Sequence, residues 1–111
     1  PTEPQVIPGN RQCAAVKRYI DLHFKETLTL EQLSEEAHMN KYYLSHAFTR
    51  EVGVSVYRYI MLRRLLMARQ LLIAGESAGQ VCRSCGFSDY TSFYRAFKAE
   101  YGISPGAITA E

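Results

Sequence analysis

Two sets of side chains in this 111-residue sequence are spaced so that they could do chemistry. The first is Cys82-Arg83-Ser84-Cys85, a C-x-x-C of the kind that binds zinc or cycles between two thiols and a disulfide. A structural zinc site takes four ligands, yet no second cysteine pair lies nearby, and His23, His38 and His46 share no ligand spacing. The two cysteines also fall on the inward stripe of a short helical pattern, where packing is the simpler role. Neither a metal nor a cofactor is therefore expected. A zinc- or redox-responsive domain using Cys82 and Cys85 remains the alternative. No Ser-His-Asp set, paired carboxylates or phosphate-cradling glycine loop can be assembled, so an enzyme has no candidate catalytic residues.

The second set is polar and occurs twice. Tyr90, Thr91, Tyr94 and Arg95 stand in one stretch, and Tyr42, Ser45, His46 and Thr49 in another with Lys41 at its start. Apolar residues at helical spacing, Leu44, Ala47 and Phe48 in one and Phe93 and Phe97 in the other, push these polar residues outward. Hydrogen-bonding side chains of modest length suit base edges and phosphates, and Arg95 is the strongest single candidate for such a contact. The N–H groups at the helix start near Ser88 and Asp89 could seat a phosphate.

The elements that must hold these residues repeat. Shifting back 49 positions places Phe93, Ala96, Phe97, Glu100, Gly102 and Ser104 on Leu44, Ala47, Phe48, Glu51, Gly53 and Ser55. Upstream, Val16, Ile20 and Phe24 mark a helix over 11–25. Thr29 with Gln32 forms a capping box for a short helix containing Leu30, Leu33 and Ala37. Asn40 caps a helix over 41–52 that Gly53 ends, and Ser55 caps a longer one over 56–74 with Ile60, Leu65, Ala68, Leu71 and Leu72 as packing residues. Ala78, Val81, Cys82 and Cys85 give another short helix. Ser88 or Asp89 caps the helix running to Tyr101, and Ser104-Pro105 opens a last turn. No strand-like alternation appears, so the chain reads as all α with six or seven helices.

A short helix, a tight turn and a longer second helix is the helix-turn-helix, whose second helix enters a DNA major groove. A connecting helix of about 19 residues at about 1.5 Å each spans about 28 Å, near the roughly 34 Å between major-groove faces one turn apart. Two recognition helices in successive major grooves of double-stranded DNA are therefore expected. The competing class is a helical protein-interaction module without DNA binding.

Charge supports DNA only locally. The net charge is +2, with seven Lys/Arg against seven Asp/Glu in residues 1–60 and six against four in 61–111. Eight Tyr and five Phe raise stacking on single-stranded nucleic acid, but inward helical positions favour core packing for most of them. Three cysteines without a secretory segment or long apolar run point away from a membrane and towards a reducing cytoplasm. Three of the four prolines crowd residues 1–10, the composition of a linker. The expected division is a linker at 1–10, a first helix-turn-helix subdomain at 11–55, a connecting helix at 56–75 and a second subdomain at 76–111.

Gly86-Phe87-Ser88-Asp89, Ser92-Phe93-Tyr94-Arg95-Ala96-Phe97-Lys98 and Tyr101-Gly102-Ile103-Ser104-Pro105 closely resemble the signature of one family. It is the DNA-binding domain of the AraC/XylS family of bacterial transcription regulators. Leu28-Thr29-Leu30-Glu31-Gln32-Leu33 and Tyr43-Leu44-Ser45-His46-Ala47-Phe48 extend the resemblance to about residues 11 to 108. It implies a seven-helix domain of two helix-turn-helix units joined by a long central helix, monomeric on its half-site and acting on RNA polymerase at promoters. It implies DNA contacts from Lys41, Tyr42, Ser45, His46 and Arg50 in the first unit and from Tyr90, Thr91, Tyr94 and Arg95 in the second. It also implies an effector-binding or dimerising domain N-terminal to this stretch. Three positions depart from the family pattern. Ala78-Gly79 replace a bulky Ile followed by Ala, His38 replaces a turn glycine, and Ile108-Thr109 replace Tyr-Arg.

Overall fold

Local chemistry starts and stops most of the helices. The computed structural model describes residues 10–108, so residues 1–9 of the expected linker and Thr109 lie outside the described residues. Six α-helices follow in order: α1 Asn10–His23, α2 Leu30–Ala37, α3 Lys41–Val52, α4 Val56–Ile73, α5 Ala78–Ser84 and α6 Tyr90–Tyr101. A single 3-10 turn, Pro105–Ala107, takes the place of a seventh helix, and no strand occurs among the described residues. None of these helices is long and apolar enough to cross a membrane.

Residues 10–23 and 28–60 form one compact unit, and 24–27 with 61–108 form another. The long helix α4 is thus shared, with Ile60 the last residue counted in the first unit. In the first unit, Val16 and Ile20 of α1, Leu33 and Ala37 of α2, Leu44, Ala47 and Phe48 of α3, and Val56 and Ile60 of α4 are buried. Phe48 meets the edge of Tyr59 with centroids 5.8 Å apart, and the Tyr59 hydroxyl donates to Asp21 Oδ1 at 2.6 Å.

The core of the second unit joins Leu65, Ala68 and Leu72 of α4 to Val81 and Cys82 of α5, Cys85 and Phe87 of the turn, and Phe93 and Phe97 of α6. Leu71, expected in that core, lies half-buried at its rim. Burial pushes the Cys85 thiol up to about 11 and raises Cys82 as well, so both thiols stay protonated and apolar at neutral pH. All three cysteines are free and buried.

Helix α1 ends two residues before the expected Lys25. Just past that end, Arg64 of α4 holds the chain: its Nε donates to the Phe24 carbonyl at 2.6 Å and its Nη2 donates to that of Glu26 at 2.8 Å. A side chain thus satisfies two carbonyl groups beyond the helix end, where no helical N–H follows to take them.

Gly79, which replaces bulk in the family pattern, is exposed on α5, and a Cβ there would meet only the Arg83 guanidinium at 3.9 Å. Gly79→Ala is therefore expected to stabilise the protein by about 0.5–1 kcal/mol, read as a raised melting temperature. Gly86→Ala should act in the opposite sense. There φ is 92°, and a Cβ would lie 2.5 Å from the Lys25 carbonyl oxygen. A loss of about 2 kcal/mol or more in a urea melt is the expected outcome, and an unchanged midpoint would contradict the geometry. Alkylation of Cys82 and Cys85 by iodoacetamide should be slow in the folded protein and fast in urea, with equal rates contradicting their burial.

Candidate nucleic-acid interface

Each outer helix is aimed by the same sequence of devices. In the first unit, Thr29 Oγ1 accepts from Gln32 N at 3.1 Å while Gln32 Oε1 accepts from Thr29 N at 2.9 Å, which closes the capping box of α2. His38 then adopts the left-handed conformation at φ 54° and ψ 46°, and Met39 N donates to the Ser34 carbonyl at 2.9 Å. Two residues later, Asn40 Oδ1 accepts from Tyr42 N at 2.8 Å and Tyr43 N at 3.3 Å to start α3.

The second unit repeats this with Ser77 capping α5, Gly86 at φ 92°, Phe87 N donating to the Cys82 carbonyl at 3.1 Å, and Asp89 capping α6. Helices α3 and α6 superpose at a shift of 49, but Thr29, Leu33, Ala37 and His38 correspond to Ser77, Val81, Cys85 and Gly86 at a shift of 48. The second turn is therefore longer by one residue. At the shift of 48, Gly79 answers to exposed Glu31, which explains how the fold tolerates a residue without bulk there.

On α3, Tyr42, His46, Thr49 and Arg50 are exposed, Tyr42 to 68%. Thr49 donates its hydroxyl to the Ser45 carbonyl at 3.0 Å. Ser45 itself is half-buried and lines a hollow of about 310 Å³ with Thr29, Leu33 and Ser55. Both flanking cations are engaged. Lys41 Nζ lies 3.5 Å from Glu31 Oε1 and 5.6 Å from the Tyr42 ring centroid, and Arg50 Nε lies 3.3 Å from Glu51 Oε1.

On α6, Tyr90, Thr91, Tyr94 and Arg95 are all exposed, and the Tyr90 ring packs against Phe93 at 5.7 Å and Tyr94 at 6.3 Å. Every Phe is buried, but Tyr42, Tyr43, Tyr57, Tyr90 and Tyr94 are exposed, so the expectation of core packing holds for Phe and fails for these tyrosines. Their hydroxyls keep water or a polar partner, which Phe cannot do.

The suggested phosphate seat at the start of α6 is already filled. Asp89 Oδ1 accepts from Ser92 N at 2.7 Å and its Oδ2 from the Ser92 hydroxyl at 2.9 Å. Those bonds, the backbone one first, hold the Asp89 carboxyl below the usual range, with Arg95 adding a smaller favourable field. The helix dipole there is answered by the protein's own anion.

Lys98 closes a signature stretch in the sequence but is not among the DNA-contacting residues expected from it. It is exposed one turn beyond Arg95, and Thr91, Arg95 and Lys98 answer to Tyr42, His46 and Thr49 at the shift of 49. The echo that located the two helices also carried the signal for this lysine. Among the described residues no group of three or more His, Cys, Asp or Glu could hold a metal ion.

Residues 33–111 match the family described as a helix-turn-helix domain. The chain is 31% identical over 91 residues to the probable transcriptional regulator LumQ of Photobacterium leiognathi, covering 81% of this chain and 37% of LumQ. It thus spans little more than a third of that relative. Among solved structures, a probable AraC family transcriptional regulator from Rhodopseudomonas palustris has a TM-score of 0.79 at 25% identity, covering 86% of this chain and 92% of its own. The DNA-binding domain of the global transcriptional factor AdpA, solved with a target DNA, has a TM-score of 0.81 at 26% identity, covering 86% and 87%. Two helix-turn-helix units in one all-α chain, with these likenesses, establish that the chain belongs to the AraC-type helix-turn-helix family.

Proposed function

We propose that this chain binds double-stranded DNA in a sequence-specific way and regulates transcription, with α3 and α6 as recognition helices in successive major grooves. The observation that carries the reading is the pairing of two capped outer helices in one register, each with buried apolar residues beneath an exposed polar stripe. The solved complex of AdpA with its target DNA supports it. Tyr42, His46 and Arg50, with Ser45 and Lys41 at the margin, face one groove; Tyr90, Thr91, Tyr94 and Arg95 face the next. The chain acts as a binding module rather than a catalyst. In the bacterial cytoplasm it works beside an effector-binding or dimerising domain and acts on RNA polymerase at a promoter.

A protein-interaction bundle without DNA binding predicts that none of those side chains affects binding to a duplex. Selection of bound duplexes from a random pool by this chain separates the two readings. An asymmetric site with two short blocks about 10 base pairs apart is expected. Tyr42→Ala or His46→Ala should then weaken binding to that site by about 1–3 kcal/mol. Failure to enrich any sequence overturns the reading in favour of the interaction bundle.

A further inference from the structure

We propose that the charged and uncharged side chains of the two outer helices play unequal parts on DNA: Arg95 and Lys98 of α6 supply the salt-dependent, sequence-independent share of the affinity, and the uncharged outer side chains, those of α3 above all, supply the discrimination between bases. The inference rests on the DNA-binding reading above and assigns Lys98 a phosphate contact.

The charges on the two helices are disposed differently. Each cation on α3 has a carboxylate partner, Glu31 for Lys41 and Glu51 for Arg50. A phosphate approaching either one meets a locally neutral pair, and neutralising that phosphate requires the carboxylate to be displaced. Helix α2 adds exposed Glu35 and Glu36 beside them, so α2 and α3 together hold two cations against four acids.

On α6 the balance is reversed. Arg95 and Lys98 are both exposed, and among the described residues neither side chain makes a hydrogen bond or ion pair. The nearby acid, Asp89, is taken up by Ser92 and feels Arg95 only through its field. At i and i+3 the two cations share the outer stripe with Thr91. Two permanent charges on one helix face suit phosphates on a duplex and release counterions when they meet them.

The stripe of α3 carries no permanent charge. Tyr42, His46 and Thr49 instead offer donors and acceptors, and the Thr49 hydroxyl, whose proton goes to the Ser45 carbonyl, presents lone pairs outward. Such groups distinguish base pairs by the pattern of donors and acceptors in the major groove.

Titration of wild type and variants on the selected duplex and on a shuffled duplex, across a range of salt, tests the division. Arg95→Gln with Lys98→Gln should reduce the slope of log Kobs against log salt by about 2, from about 0.9 per phosphate contact. It should weaken both duplexes alike, with their ratio kept within about twofold. Lys41→Gln with Arg50→Gln should reduce the slope by less than the Arg95 and Lys98 pair does, since a carboxylate already shares each of those two charges. His46→Ala should lower the preference for the selected duplex by about tenfold with the slope retained. All of these side chains are exposed or half-exposed, so circular dichroism melts check that each variant folds.

An unchanged slope in the Arg95 and Lys98 variant overturns the inference, as does a collapse of its preference ratio or a larger slope change from the Lys41 and Arg50 pair. Absence of wild-type binding to either duplex at any salt overturns the function proposed above instead.

Discussion

Each outer helix begins only after the backbone has passed through a left-handed residue, and the other features of the two units depend on that turn. At His38 and Gly86 the chain leaves its bracing helix, and the following residue donates to a carbonyl five positions back. A few residues later Asn40 or Asp89 accepts the first N–H groups of the next helix. Once the start is fixed, the helical period decides the rest. Leu44 and Phe48, or Phe93 and Phe97, are turned inward, and Tyr42 and His46, or Thr91 and Arg95, are turned outward. The composition of the polar face is thus a consequence of where the turn places the first residue.

The two units are variations on this plan rather than copies. The longer second turn brings Phe87 into the core, 4.9 Å from Phe93, and the series continues through Phe97 at 5.8 Å to Tyr101 at 4.8 Å. In the first unit the residue matching Phe87 is Met39, which is only half-buried. There the aromatic contact comes from Tyr59, anchored by its hydroxyl on Asp21. An extra turn residue adds chain that must be ordered, and burying a large ring offsets that entropy.

What could be read in the sequence was what short-range chemistry decides. Thr29, Asn40, Gly53 and Gly102 announce helix ends because capping involves neighbours along the chain. Leu44 and Phe48 announce the core because burial follows the helical period. Less legible were features set by partners remote in sequence. The segment just past α1 is held by Arg64, 40 positions beyond Phe24, and Lys41 is paired with Glu31 of the preceding helix. Nothing in the pattern around Phe24 or Lys41 specifies those partners. The exposed tyrosines are a different case, since a ring with a hydroxyl suits either side of a helix and periodicity alone does not choose between them.

The contrast between His38 and Gly86 shows how local and remote constraints combine. A left-handed residue costs roughly 1–2 kcal/mol when it carries a side chain, and His is among the types that accept it. That requirement alone explains His38, which is exposed with room for its ring. Gly86 answers to a second requirement. The segment 24–27 is held by the Arg64 guanidinium on its carbonyls, and the backbone of Lys25 comes so close to Gly86 that a Cβ would fall within 3 Å of three of its atoms. Arg64 also lies 6.0 Å from the Phe87 ring centroid, so the clamp and the turn are one piece of packing. A substitution that the first turn absorbs would therefore have to move backbone in the second. The same left-handed geometry carries a histidine in one unit and admits only glycine in the other.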